Sequence, residues 1–247
     1  MPLNKPSGNM YPWAYTWNPL AGKCPHECYF CYVEGKIAPW MRRMGSNKFY
    51  EPLRLVESEF KVPLIVPNGY IVFVESCGDL FAYDVEESWI WQVLNRIKKF
   101  PQTTFLLQSK NPERFFDFNI PQNCILGTTI ESNRDYHLSK APSPKERYHV
   151  FFMLNNDRDF EGNKIYRLMV SIEPVMDFDL DELVFWMQEI DPEFISIGAD
   201  SGNNNLVEPS PKKLQELIEI LSRVTEVKQK ENLSRLLPAK QLEKEKK

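Results

Sequence analysis

The chain runs to 247 residues with a formal charge of −4; 43% of it is hydrophobic and 26% charged, enough apolar material for a sizeable core in one domain. The acidic balance gives no global case for a nucleic-acid binder, though it leaves room for a local basic groove. No apolar run reaches the roughly 18 residues of a membrane span, and Met1 to Gly8 lack the apolar stretch of a secretion signal.

In chain order, Ala14 to Asn18 is a short aromatic, β-prone run that leads straight into a cysteine-rich loop. The stretch from Tyr32 to Val66 carries a basic, Met-rich helical piece, Trp40-Met41-Arg42-Arg43-Met44. Gly69 to Glu75 is a continuous apolar run of strand length, as a strand buried on both faces should be. Val85 to Phe100 has helical spacing, with Trp89, Val93, Ile97 and Phe100 on one face, and Pro101 stops it. Thr103 to Gln108 reads as a third strand, and Asn111-Pro112-Glu113-Arg114 as the cap and first turn of the next helix. Strands at Cys124 to Ile130, Arg167 to Glu173 and Phe194 to Gly198 alternate with helices at Pro144 to Leu154, Asp179 to Ile190 and Pro211 to Val224. Connections this long require parallel pairing through right-handed crossovers. The expected fold class is therefore α/β. It is a partial (β/α)6 TIM-like barrel of parallel strands, or a doubly wound sheet, over residues 1–227, with the cysteine loop after strand 1. A charged C-terminal tail, 228–247, follows as a frayed helix or a disordered segment.

The loop is the most informative segment. Cys24-x3-Cys28-x2-Cys31 puts three thiols on one short turn. Three soft ligands from one side suit a cubane 4Fe-4S cluster with one iron left without a protein ligand. Five cysteines, three of them clustered, point to a metal site in a reducing compartment, the cytoplasm by default, rather than to a disulfide framework. Parallel β/α folds place their sites at the carboxyl ends of strands. Here the strand ends read Glu75-Ser76-Cys77-Gly78-Asp79, Gln108-Ser109-Lys110, Glu131-Ser132-Asn133, Glu173-Pro174 and Gly198-Ala199-Asp200-Ser201-Gly202, which suggests a small-molecule pocket built around the loop.

Structural zinc competes for the thiols, with His26, Cys77, Cys124, His137 or His149 as fourth ligand. It is the weaker reading because such sites usually pair two Cys-x2-Cys knuckles, and one such pair exists here. Cys77 and Cys124 read as buried thiols, and His26 as a solvent-facing spacer or a tuning hydrogen bond. Arg42, Arg43 and Lys48 with Trp40 and Phe49 could grip a phosphate backbone, or could be solvated residues of an amphipathic helix over the open barrel edge.

With an aromatic residue just before its last cysteine, Cys24-x3-Cys28-x-Phe30-Cys31 resembles the radical S-adenosylmethionine (SAM) superfamily. Further runs are similar to an uncharacterised phage-associated branch of it: Thr16-Trp17-Asn18-Pro19, Ser109-Lys110-Asn111-Pro112-Glu113-Arg114, Gly127-Thr128-Thr129-Ile130-Glu131, Ser171-Ile172-Glu173-Pro174 and the Ile197 to Gly202 stretch. The Ser109-Lys110 pair is also similar to that of spore photoproduct lyases, DNA-repair members of the superfamily.

The resemblance implies a 4Fe-4S cluster on Cys24, Cys28 and Cys31, S-adenosyl-L-methionine on its open iron, and a 5′-deoxyadenosyl radical that abstracts substrate hydrogen. It implies that Glu75 meets the SAM amino group and that Lys110, beside Ser109, meets the carboxylate. Glu131 would hold the ribose hydroxyls, Phe30 would lie near adenine, and Ile197-Gly198 would line the adenine slot. Glu173 is a further strand-end contact, and Cys77, close to the pocket, a candidate hydrogen donor. Val74-Glu75-Ser76 stands where the superfamily commonly has glycine-glycine-glutamate. An external one-electron donor of the flavodoxin or ferredoxin type is implied; the residues do not name the substrate, for which a nucleic acid or nucleotide is the preferred expectation ahead of a peptide. A non-catalytic iron–sulfur or zinc binding module and a non-radical SAM-dependent transferase are the other readings open to the residues.

Overall fold

The computed structural model describes residues 3–7 and 11–237. β1 (Ala14–Trp17) and the two-residue β2 (Leu20–Ala21) lead into the cysteine loop, a π-helical turn at Val33–Ile37 and α1 (Ala38–Arg43). β3 (Arg54–Leu55) pairs antiparallel with β2. The alternating part follows: β4 (Ile71–Val74), α2 (Glu87–Ile97), β5 (Phe105–Gln108), β6 (Cys124–Thr129), α3 (Pro144–Asn156) and β7 (Arg167–Ile172). It continues through α4 (Leu180–Ile190), β8 (Phe194–Ile197), α5 (Pro211–Leu221) and β9 (Glu226–Gln229) to a 3-10 turn at Glu231–Arg235.

The main sheet has 7 strands in the order β1-β4-β5-β6-β7-β8-β9. Its registers are parallel, with Trp17 beside Val74, Val74 beside Leu107, Gln108 beside Gly127 and Ile172 beside Ile197. This is the α/β partial barrel expected from the sequence. The chain groups into two compact units, Met1–Thr128 with Leu138–Pro142, and Thr129–His137 with Ser143–Lys247. In the first, Val72, Val74, Phe105, Leu106 and Leu107 are buried, and α2 turns Ile90, Val93, Leu94 and Ile97 inward. Apolar side chains on both faces of a strand can only be satisfied between two covering layers. In the second, Ser143 and Glu146 form a capping box that starts α3, with Pro144 at its first position.

Several local expectations change. The inward face of α2 is centred on Ile90 and Leu94; Trp89 is half-buried and Phe100 lies past the helix end. Asn111 does not cap a helix: Pro112–Asp117 is a single 3-10 stretch, and the Asn111 amide donates instead to the Phe81 carbonyl at 3.0 Å. Pro121 follows too soon for a longer helix. The chain from 226 to 229, placed partly in the tail by its charge, is a seventh strand parallel to β8. Its sequence, Glu-Val-Lys-Gln, has one apolar residue, so no hydrophobic run marks it. The remainder of the expected tail, 238–247, lies outside the described residues. No helix among the described residues is long and apolar enough to cross a membrane.

Candidate active site

In the first unit the end of β4 is bent sharply. Glu75 has φ 58°, a left-handed conformation unusual for a residue with a Cβ, and its N–H donates to the Trp17 carbonyl at 2.8 Å. Asn18, just past β1, fixes the next turn: its Oδ1 accepts from Ser76 Oγ and from Cys77 N, each at 3.1 Å. Gly22 is required where it stands. At φ 113° a Cβ there would lie 2.6 Å from the Leu53 backbone. These turns leave a small cleft lined by Gly22, Cys24, Phe49, Glu75, Cys77 and Asp79.

The cysteine loop forms one wall of that cleft. Cys31 N donates to Cys28 O at 3.0 Å, and Tyr29 N and Lys140 N anchor the loop to Leu138 O (2.8 Å) and His26 O (2.7 Å). All five cysteines are free thiols, with Cys24, Cys28, Cys31 and Cys77 partly exposed and Cys124 buried. Cys31 and Cys77 pack against the same small core of Val33, Ala38 and Phe49. Burial, the Asp79 carboxylate and the neighbouring Cys28 and Cys31 push the Cys24 thiol well above its ordinary range. A thiolate there needs a cation to offset it, and metal binding supplies one. In kind, the donor set fits an iron–sulfur cluster: three thiols on one loop, near enough to feel one another's charge. Among the described residues, no three His, Cys, Asp or Glu side chains are gathered closely enough to hold a metal ion, so the thiols are loop neighbours rather than a preformed chelate.

His26 is buried, not solvent-facing, and it is joined to Asp79. The Nε2···Oδ2 distance is 2.7 Å, and both side chains are nearly inaccessible. The same Asp79 oxygen accepts from Ser109 Oγ (2.9 Å) and Lys110 N (2.8 Å), while Oδ1 accepts from Phe81 N (2.9 Å). Burial alone would raise the Asp79 pKa; the bonds, that from His26 foremost, outweigh it and hold the carboxyl below its usual range. One carboxylate thus ties the cysteine loop to the end of β5. Asp79→Ala leaves three buried donors and His26 without their acceptor. It is expected to cost about 3 kcal/mol in stability, read as a lower urea midpoint at unchanged slope.

Glu75 is buried as well. Its Oε2 accepts from Leu20 N at 2.9 Å, and its Oε1 faces Gly78, where a Cβ would come within 3.1 Å. Burial pushes its pKa up to about 8 against the opposing Leu20 N–H and Lys48 charge, so the carboxyl is mostly protonated at neutral pH. Ser109 Oγ is engaged by Asp79 and by Asn111 N (2.9 Å). Lys110 Nζ lies over the Phe30 ring, 5.2 Å from its centroid, which brings together two of the residues the sequence singled out.

In the second unit, Glu131 is buried and bound to Arg147 Nη2 at 2.9 Å. Glu173 pairs with Lys230. Val175 N donates to Gly198 O at 2.8 Å, Met176 N to Glu131 O at 3.0 Å, and Lys230 N to Ile197 O at 2.9 Å, so Glu131, Glu173, Ile197 and Gly198 do converge. A Cβ on Gly198 would fall 2.7 Å from Glu173 Oε1 and 3.0 Å from Lys230 Cδ. Gly198→Ala is therefore expected to push this ion pair apart at a cost of about 2 kcal/mol, visible as a lowered thermal midpoint. The sequence reading missed Arg147 and Lys230, the two cations of this network. Arg147 sits on a helix whose other residues supply ordinary polar spacing, and Lys230 follows the unrecognised β9.

A family model described as "Protein of unknown function (DUF5131)" matches residues 11–144, more than half of the chain and all of the cleft just described. The chain belongs to the DUF5131 family. No curated protein matches this DUF5131 chain. Among solved structures it is similar to a spore photoproduct lyase variant with bound AdoMet and dinucleoside spore photoproduct, at 11% identity and a TM-score of 0.50 over 85% of this chain and 61% of that one. It is also similar to a radical SAM methyltransferase from Sphaerobacter thermophilus, at 12% identity and a TM-score of 0.50 over 89% of this chain and 67% of that one. This DUF5131 chain thus spans less than two thirds of the lyase's length. At these identities the likeness is one of fold: this chain shares the fold of the spore photoproduct lyase and of the radical SAM methyltransferase.

Proposed function

We propose that this protein is a radical SAM enzyme in which Cys24, Cys28 and Cys31 hold a 4Fe-4S cluster that binds S-adenosyl-L-methionine. When bound and reduced, that pair supplies a 5′-deoxyadenosyl radical for hydrogen abstraction. The observation that carries the reading is the three-thiol loop, partly exposed at the carboxyl end of β1, in a fold shared with enzymes of that kind.

The chain's own residues have definable tasks in the first unit. Asp79 holds His26 inside the loop and fixes the backbone before Lys110, so the loop and that ammonium keep a set relation. Lys110, resting on Phe30, would meet the SAM carboxylate as a compact charge, with the ring beneath to receive adenine. Glu75 would accept from the SAM amino group; the incoming ammonium lowers its pKa and draws off its proton. Cys77, packed with Cys31 against one apolar cluster, would be the hydrogen-donating thiol. An electron carrier of the flavodoxin or ferredoxin type would reduce the site.

The test is anaerobic reconstitution with iron and sulfide, followed by dithionite and SAM. 5′-Deoxyadenosine together with methionine is the expected product pair. A fully loaded cluster that yields S-adenosylhomocysteine, or nothing, would overturn the reading.

A further inference from the structure

A surface beside the cysteine loop stands apart from the rest of this acidic chain. Residues 29–50 contain Lys36, Arg42, Arg43 and Lys48 against one acid, Glu34, while the whole protein carries −4. Large rings on the same stretch face solvent: Tyr29 is 64% exposed, Trp40 55% and Tyr50 48%. Lys36 and Trp40, four residues apart across the π-turn and α1, are both exposed on one helical face. The Arg42 guanidinium lies over the Tyr50 ring, 5.1 Å from its centroid. Among the described residues, no carboxylate is within ion-pair distance of Arg42 or Arg43. Phe49, grouped with this patch from sequence, is buried and serves the core under it.

The patch is fastened to the cleft. Tyr32, just before the π-turn, donates its hydroxyl to the Ser76 carbonyl beside Cys77. On the other flank Gly22 N and Lys23 N donate to Lys48 O (2.9 Å) and Glu51 O (3.0 Å), so the segment bearing Tyr50 borders the entry to the cysteine loop.

From this charge and ring pattern we infer that residues 29–50 form a docking surface for single-stranded nucleic acid, leading its bases toward the cleft. Exposed guanidinium groups with no carboxylate to neutralise them suit phosphates, and exposed rings suit unpaired bases, which offer a π-face whatever their sequence. A protein partner would also use Trp, Tyr and Arg, but the local excess of positive charge favours a polyanion. Duplex DNA has no unstacked bases for these rings.

The inference is independent of the radical chemistry, because metal-free full-length protein without SAM is sufficient to test it. The probe is a fluorescein-labelled oligothymidylate of about 16 nucleotides, followed by anisotropy between about 50 and 200 mM salt. The expected result is binding that weakens steeply with salt. Trp40→Ala with Tyr50→Ala should weaken it about tenfold or more at fixed salt, leaving the salt slope alone, and Trp40→Phe should restore most of the Trp40 share. Arg42→Gln with Arg43→Gln should lower the slope by about 1.4, roughly 0.7 per lost phosphate contact. Circular dichroism should show all three variants folded, since the residues are exposed. Any of three results overturns the inference: no binding at the lowest salt, variants that bind like the parent, or a duplex bound as tightly as the single strand. So does a patch variant that loses self-association by light scattering while retaining the oligonucleotide, for then the surface meets protein.

Discussion

Cys28→Ala is expected to abolish both iron–sulfur loading and 5′-deoxyadenosine formation, with a fall in rate of at least about 10³-fold, limited by assay background. The argument rests on what the substitution spares. The turn at Cys28 is held by a backbone bond, Cys31 N to Cys28 O at 3.0 Å, which alanine keeps. The neighbouring anchors at Tyr29 N and at the His26 carbonyl are also backbone bonds, and the His26–Asp79 contact does not involve the thiol. The side chain is partly exposed, so little packing is lost. Removing one of three soft donors leaves two, too few to hold a cubane from one side. Iron and sulfide analysis of the reconstituted variant checks this, with Cys77→Ala as the companion that should still load. Equal loading and product formation in Cys28→Ala and parent would falsify the assignment of the loop thiols as ligands.

Glu75→Gln is expected to stabilise the cofactor-free protein at alkaline pH and to leave it nearly unchanged in acid. The folded carboxyl has a pKa raised to about 8 by burial, against 4.5 for an ordinary glutamate. Between those values the native state holds a proton that the unfolded chain releases, so stability falls as pH rises through that window. Glutamine cannot release the proton, and its carbonyl can still accept from Leu20 N. The difference grows with pH to an upper bound on the order of 5 kcal/mol, at about 1.4 kcal/mol per pH unit. Urea midpoints of the two proteins measured from about pH 4 to 9 should diverge upward; parallel curves would mean that Glu75 ionises normally in the fold. Groups common to both proteins cancel in the difference. The same variant should bind SAM more weakly, because it lacks the charge that meets the ammonium.

The alternating architecture was legible because β4, β5, β6, β7 and β8 are buried apolar runs and α2, α4 and α5 are amphipathic. The cysteine loop was legible from spacing alone. What escaped were features fixed by contacts distant in sequence. Asp79 is an ordinary strand-end acid until His26, 53 residues earlier, and Ser109, 30 later, meet on it. The Glu131–Arg147 and Glu173–Lys230 pairs have no periodic signature either. β2 and β3 are two residues each, too short to register as alternation. β9 failed for a related reason, since a strand with a single neighbour needs few apolar side chains.

That poverty of apolar residues in β9 has its own consequence. The strand closes one end of the main sheet, and it presents Glu226, Lys228 and Gln229 where a hydrophobic ribbon would invite strand addition from another molecule. Proteolytic nicking near Val224 would strip this cover and leave the apolar Phe-Ile-Ser-Ile backbone of β8 as an open template. A preparation clipped at that point should precipitate as cross-β aggregates even though its cysteine loop, far away in sequence, is untouched.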